Sequence, residues 1–334
     1  MNKLKILVTM PKHATFYTFF NEQRMKELKD FADVTWNEST TSQFTHEQLC
    51  SLIKDIDVII TGWGTLPLDE EILSHANKLR MVAHTGGTVK PYVTDAVYER
   101  GITVVSGNNV YAESVAESVI AYALSSLRDI PKYSSELKQG IWPNGYYNRG
   151  LLNKKIGIVG YGMIAKYTVE MLKPFHPELL VYSKHISQDE LDKHNMKKSD
   201  LQEIFETCDI ISLHSASTPQ THHMINEALL DSMQDGALLI NTARGAIIDE
   251  AALVRVMQRK NIFAVLDVYE VEPLPADSPL TKLDNAILMP HMGGPTVDRR
   301  LVVTKQIIGE IERFLRGEPL ICEISQAYAN TMTR

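Results

Sequence analysis

Short apolar, β-branched runs recur along this chain, separated by segments long enough to form helices. In the first third they fall at residues 5–8, 33–36, 58–61, 81–84 and 102–105, with helical segments such as 43–54 and 69–75 between them. A second series follows at 156–159, 179–182, 210–213, 238–241, 263–267 and 287–289. Regular alternation of strand and helix specifies parallel sheets covered on both faces. The expected fold class is α/β, with two similar units in tandem. Residues 113–127 read as a long helix with small and apolar residues on one side, crossing from the first unit into the second. A final helix over 301–314, stopped by Gly317 and Pro319, is expected to return to the first unit. That return makes the first unit discontinuous, 1–108 with 297–334, and the second an insertion spanning 109–296.

Composition agrees with two soluble domains. At 334 residues the chain exceeds the roughly 250–300 at which one core stops growing, and 44% of it is hydrophobic. A net charge of -7 and the absence of a dense Lys/Arg run argue against nucleic acid as a partner. Cys50, Cys208 and Cys322 are too few and too scattered for a disulfide framework or a zinc site, so no metal is expected and a reducing compartment is. No leader pattern opens the sequence and no apolar run approaches membrane-spanning length, so the expectation is a cytoplasmic protein with no membrane partner.

The candidate chemistry starts at Gly160, Gly162 and Ala165, between the strand at 156–159 and a helix-length stretch that stops at Pro174. Glycine at 160 permits a tight turn, and glycine at 162 lets backbone approach a pyrophosphate. The small residue at 165 lets helix pack on strand, with phosphates at the helix N-terminus. Such a turn holds a dinucleotide. An acidic residue that would bind the adenosine ribose is expected after the next strand, about 20 residues on. Ser183, Lys184 and His185 stand there instead. No carboxylate repels a 2′-phosphate and Lys184 can pair with one, so the cofactor expected is NAD(P), leaning to NADP.

Five motifs in order carry a resemblance covering nearly the whole chain. They are Gly160-Tyr161-Gly162-Met163-Ile164-Ala165; Ser212-Leu213-His214 with Thr218-Pro219-Gln220-Thr221; Asn241-Thr242-Ala243-Arg244-Gly245; Leu266-Asp267-Val268 leading to Glu272-Pro273; and Pro290-His291-Met292-Gly293-Gly294. The sequence resembles the D-isomer-specific 2-hydroxyacid dehydrogenases. The resemblance implies two Rossmann-like domains, a flavodoxin-like substrate domain and an inserted dinucleotide-binding domain. It implies hydride transfer between NAD(P)H and a 2-keto acid, and a homodimer contacting through the 113–128 helix and the loop after it. It also implies a cofactor site at Gly160, Gly162, Met163, Ile164, Ser183, Lys184, His214, Thr221, Thr242, Ala243, Asp267 and Gly293. Asp267 would meet the nicotinamide carboxamide or, read from its position alone, cap the following turn.

The chemistry needs three further side chains. Reducing a 2-keto acid puts negative charge on the carbonyl oxygen, so a cation beside carboxylate and carbonyl stabilises the transition state more than the ground state. Arg244, at a strand end and before a glycine, can hold a carboxylate through two hydrogen bonds. The oxygen also needs a proton, and His291 is the imidazole set at a strand end. Glu272 is its expected partner, a carboxylate that favours the protonated ring and fixes its orientation. On the substrate side Gly86, Gly87 and Thr88 resemble a loop whose N–H groups hold the substrate carboxylate, and Trp63 is either a further wall of the pocket or a core aromatic.

The chain departs from the family pattern in places. Thr88 stands for a usual glycine, Lys90-Pro91 for an Asp-Asn pair, Met163 for a common arginine and Pro295 for a serine. The alternative reading is a dinucleotide-sensing, corepressor-like protein that binds partners with little turnover.

Overall fold

The computed structural model describes residues 3–146 and 148–332. The chain divides into two compact units, Met1–Ala112 with Pro295–Arg334, and Glu113–Gly294.

The first unit is built on β1 (Leu4–Val8), β2 (Ala32–Trp36), β3 (Val58–Thr61), β4 (Met81–His84) and β5 (Thr103–Ser106), parallel throughout in the order β2-β1-β3-β4-β5. This is the flavodoxin-like strand order. Alternate residues feed opposite faces. Ile6, Val8, Val58, Ile60, Met81 and Ala83 enter one core layer, and Leu7, Ile59, Val82 and Val104 the other. The helix Val297–Arg316 sends Val303, Ile307, Ile308 and Ile311 into the layer with Ile6 and Val8.

The second unit carries β6 (Lys155–Val159), β7 (Glu178–Tyr182), β8 (Met196–Lys198), β9 (Ile210–Leu213), β10 (Leu238–Asn241), β11 (Phe263–Leu266) and β12 (Ala286–Leu288). Their order is β12-β11-β10-β9-β6-β7-β8, all parallel. From β6 the chain builds outward through β7 and β8, then returns to the other side of β6 for the remaining strands. That is the doubly wound dinucleotide-binding order, extended by one strand. Leu180, Ile211 and Leu239 face one buried layer, Ile158, Val181 and Ile240 the other.

Differences from the sequence reading concentrate at element ends. The helix expected over 43–54 is His46–Leu52 with a 3-10 turn Ile53–Asp55, opened by a capping box between Thr45 and Gln48. The helix expected from 113 starts at Asn108 and runs through Leu127, and the last one begins at Val297 rather than 301. β8 had no signal, because it is a three-residue edge strand with two exposed lysines, a polar edge of the kind that discourages further pairing. Among the described residues no helix is long and apolar enough to cross a membrane.

Candidate active site

Sheet order brings distant segments together. Ser183 follows β7, Gly160 β6, His214 β9, Arg244 β10, Asp267 β11 and His291 β12, so all lie beyond the carboxyl ends of parallel strands and on one edge of one sheet. The chain reverses its winding direction between β6 and β9. Loops diverge at such a switch point and leave a crevice for a ligand.

Asn241, fully buried, shapes the turn after β10. Its Nδ2 donates to the Arg244 carbonyl at 2.9 Å and its Oδ1 accepts from the Ala243 N–H at 3.0 Å. Gly245 follows because nothing larger fits: a Cβ there would lie 1.9 Å from the Tyr269 carbonyl carbon. This contact sets the Arg244 turn against the segment leading to Glu272. Burial lowers the Arg244 guanidinium from its ordinary value, and the Glu272 carboxylate opposes that shift. An arginine starts so far above neutrality that it stays cationic.

Glu272 is held from two sides. Oε1 accepts from the Tyr269 N–H at 3.0 Å and Oε2 from His291 Nδ1 at 2.7 Å, the length of a charge-assisted bond. A carboxylate only accepts, so Nδ1 carries a proton and Nε2 is left as the nitrogen able to exchange one. The Tyr269 hydroxyl, pushed up to about 12 by burial, stays protonated and donates to the Leu266 and Met289 carbonyls at 3.0 and 2.8 Å. It thereby ties the end of β11 to the end of β12. His291 sits in the left-handed backbone region with φ 50. Asp267, 2% exposed, stabilises that turn by accepting from the Met292 and Gly293 N–H groups, both at 2.8 Å, and from the Tyr122 hydroxyl at 3.3 Å. Asp267 is therefore engaged with the turn that carries His291. Tyr122 and Tyr269, whose hydroxyls hold this arrangement, were not singled out from the sequence. No linear pattern distinguishes them from core aromatics.

The glycine turn has the shape a dinucleotide needs. Gly160 has φ 92, and a Cβ on it would lie 2.6 Å from the Ser215 backbone nitrogen. Gly162 is the N-cap of the helix Met163–Leu172 and offers no side-chain cap; nothing lies within 4 Å of where its Cβ would be. Met163 and Ile164 open that helix, and Ala165 packs beneath it with Ile156 and Ile158. Two polar atoms beyond β9 and β10 are buried without a partner among the described residues, Nδ1 of His214 and Oγ1 of Thr242. His214 Nε2 lies 2.9 Å from Ser212 Oγ, and burial pushes the ring down to about 4, so it is neutral at neutral pH. The two atoms, His214 Nδ1 and Thr242 Oγ1, lie beyond the carboxyl ends of β9 and β10, in the same sheet as the glycine turn after β6, a placement that fits a dinucleotide. At the far end Ser183 is half-buried and Lys184 exposed, with no hydrogen bond or ion pair to Lys184 among the described residues. The Thr221 hydroxyl accepts from the Thr218 N–H at 2.8 Å and donates to the Ala216 carbonyl at 2.7 Å, so it closes its own loop.

The remaining candidates belong to the first unit. Gly86 follows β4, where a Cβ would lie 2.3 Å from His84 Nε2, and Gly87 lies against the Tyr111 ring. His84 is buried, pushed down to about 3 and hydrogen-bonded to Thr61 at 2.9 Å. Thr88 Oγ1 accepts from the Lys90 N–H at 3.3 Å. Trp63 is 45% exposed and meets Phe19, Tyr111 and the Arg300 guanidinium, so it is a surface aromatic rather than a core one.

Known proteins resemble this chain along its length. It is 32% identical over 94% of its residues to D-3-phosphoglycerate dehydrogenase of Methanocaldococcus jannaschii, spanning 58% of that protein. It is 34% identical to glyoxylate reductase of Thermofilum pendens, covering 89% of each chain. The fold matches D-mandelate dehydrogenase of Rhodotorula graminis with a TM-score of 0.82 at 21% identity, over 97% of this chain and 98% of that one. Residues 120–293, which hold Gly160, His214, Arg244, Asp267, Glu272 and His291, match the "D-isomer specific 2-hydroxyacid dehydrogenase, NAD binding domain", and the chain belongs to that family.

Proposed function

We propose that this protein is an NAD(P)-dependent D-2-hydroxyacid dehydrogenase that reversibly reduces a small 2-keto acid. The observation that carries the reading is the 2.7 Å bond from His291 Nδ1 to Glu272, with the Arg244 guanidinium in the field of the same carboxylate. Residues 109–296 serve as the dinucleotide-binding domain and 1–108 with 297–334 as the substrate domain. When bound, a nicotinamide dinucleotide supplies hydride to the carbon of the ketone. Gly160, Gly162, Met163 and Ile164 hold its pyrophosphate at the helix N-terminus; Ser183 and Lys184 meet the adenosine ribose; His214, Thr221, Thr242, Ala243, Asp267 and Gly293 line the nicotinamide end. Arg244 holds the substrate carboxylate and fixes which face of the carbonyl is presented. His291 Nε2 gives its proton to the carbonyl oxygen, while Glu272 holds the other nitrogen and compensates the charge of the protonated ring. Gly86, Gly87 and Thr88 are the further substrate-binding residues of this reading, through the backbone N–H groups of their loop. Three free cysteines fit a reducing compartment, and we place the protein in the cytoplasm.

Oxidation of NADH and NADPH across a panel of 2-keto acids tests the activity. Tight cofactor binding with no turnover on any of them would favour the corepressor-like alternative. His291→Gln is expected to lower turnover by about 10²–10⁴-fold with cofactor affinity retained, and Arg244→Ala to raise KM and lower kcat together; wild-type kinetics in either variant would remove that residue from its role. Glu272→Gln removes the carboxylate that holds His291 Nδ1 at 2.7 Å, so the pH profile of turnover is expected to change, and an unchanged profile would contradict the pairing. Lys184→Ala is expected to lower kcat/KM for NADPH by about tenfold, one charge-assisted contact's worth, while leaving NADH unaffected. A wild-type preference for NADH would overturn the NADP assignment.

We also propose a homodimer through the 113–128 helix and the segment after it, which exposes Ile130, Leu137, Ile141 and Trp142. Sedimentation of the wild type at dimer mass, with Leu137→Lys and Trp142→Lys shifting it to monomer, is the expected result; a monomeric wild type would contradict it.

A further inference from the structure

On the first unit, away from β4 and its glycine loop in sequence, four chemistry-bearing side chains meet between two short helices. His46 and Cys50 lie one turn apart on the helix His46–Leu52, and Glu71 stands on the helix Glu70–His75, whose N-cap is Asp69. His46 Nδ1 is 3.8 Å from Cys50 Sγ, and His46 Nε2 is 2.9 Å from Asp69 Oδ2 and 3.9 Å from Glu71 Oε2. One ligand atom each from His46, Cys50 and Glu71 falls within 4.8 Å of the others.

The geometry points to a binding site for one borderline-soft divalent transition metal, zinc-like, held by His46 Nδ1, Cys50 Sγ and Glu71 with water completing the shell. The donor set fits that class: thiolate, imidazole and carboxylate together select such an ion over magnesium or calcium, which take oxygen. Asp69 completes the arrangement. A carboxylate against Nε2 fixes the proton on that nitrogen and leaves the Nδ1 lone pair toward the sulfur, the outer-shell support that metal-bound histidines receive. Asp69 is itself held, because Oδ1 accepts the Ile72 N–H at 2.9 Å as the helix cap. The two helices are fixed to each other as well, since Leu49, Ile53, Ile72 and Leu73 share one buried cluster. Tetrahedral zinc ligands stand about 3.3–3.8 Å apart, given bond lengths of about 2.0–2.3 Å. The His46–Cys50 spacing already meets this. Glu71 approaches the ring at Nε2, 3.9 Å away, and its carboxylate, 73% exposed, must turn toward the Nδ1 side to join the same ion. On binding, Cys50 ligates as thiolate and its proton passes to solvent. The reading of three scattered cysteines as excluding a metal considered cysteine spacing alone, and mixed ligands from two helices leave no such spacing.

The test uses the full chain, stripped with a chelator and titrated with Co²⁺ and then Zn²⁺. The expected result is one Co²⁺ per chain with a thiolate-to-cobalt charge-transfer band, displaced by one equivalent of Zn²⁺. Cys50→Ser is expected to abolish the band and weaken Zn²⁺ by about 100-fold or more; Glu71→Gln and Asp69→Asn, the latter retaining the helix cap, are expected to weaken it by about 10–100-fold. None of these changes is expected to alter 2-keto acid reduction, so the outcome is separate from that of the proposed activity. A missing band in the wild type, a band that survives Cys50→Ser, or Zn²⁺ affinity unmoved by Glu71→Gln would overturn the site. If Cys50→Ser does not fold, as judged by circular dichroism, the Glu71→Gln comparison decides.

Discussion

The hydrogen bond between His291 and Glu272 depends on how two neighbouring strand ends are held. His291 arrives after β12 and Glu272 five residues after Asp267, beyond β11, and each loop would wander if left to its own sequence. Tyr269 removes that freedom by donating to carbonyls at both strand ends, and Asp267 does so by accepting two successive N–H groups beyond His291. Both act from buried positions, where hydrogen bonds are stronger and leaving them unmade costs more. The imidazole is thus placed by backbone hydrogen bonds and oriented by a carboxylate, while its own ring stays about half exposed.

Steric constraint does the rest. Gly245 lets the turn after β10 touch the backbone after β11, and Gly293 lets an N–H reach Asp267; a side chain at either point would push a loop away. Gly160 serves the other half of the sheet in the same way, with its left-handed φ and the Ser215 backbone against it. These glycines sit at strand ends where loops from non-adjacent segments converge. A parallel sheet with a switch point creates such convergence, and a ligand site forms there.

Much of this was legible in the sequence. Eleven apolar runs foretold eleven strands to within a residue or two, because strands buried on both faces need continuous β-branched stretches whatever their neighbours. The glycine turn and the Arg244, Glu272 and His291 positions were visible because chemistry restricts which residue types can serve. Strand order was not legible, and neither were the supports. Asn241, Tyr122 and Tyr269 act through contacts made only after folding, and Asp267 shows the limit well, since strand-end position allowed both a cofactor contact and a turn cap. Nor did spacing reveal the His46, Cys50 and Glu71 cluster, whose members meet across two helices.

The central claim is that His291 keeps one nitrogen committed to Glu272 and exchanges its proton through the other. Nitrogen-15 NMR of His291 across a pH titration tests this directly. Nδ1 is expected to remain protonated throughout, with Nε2 alone gaining and losing the proton. A titration in which Nδ1 loses its proton while Nε2 keeps one would contradict it.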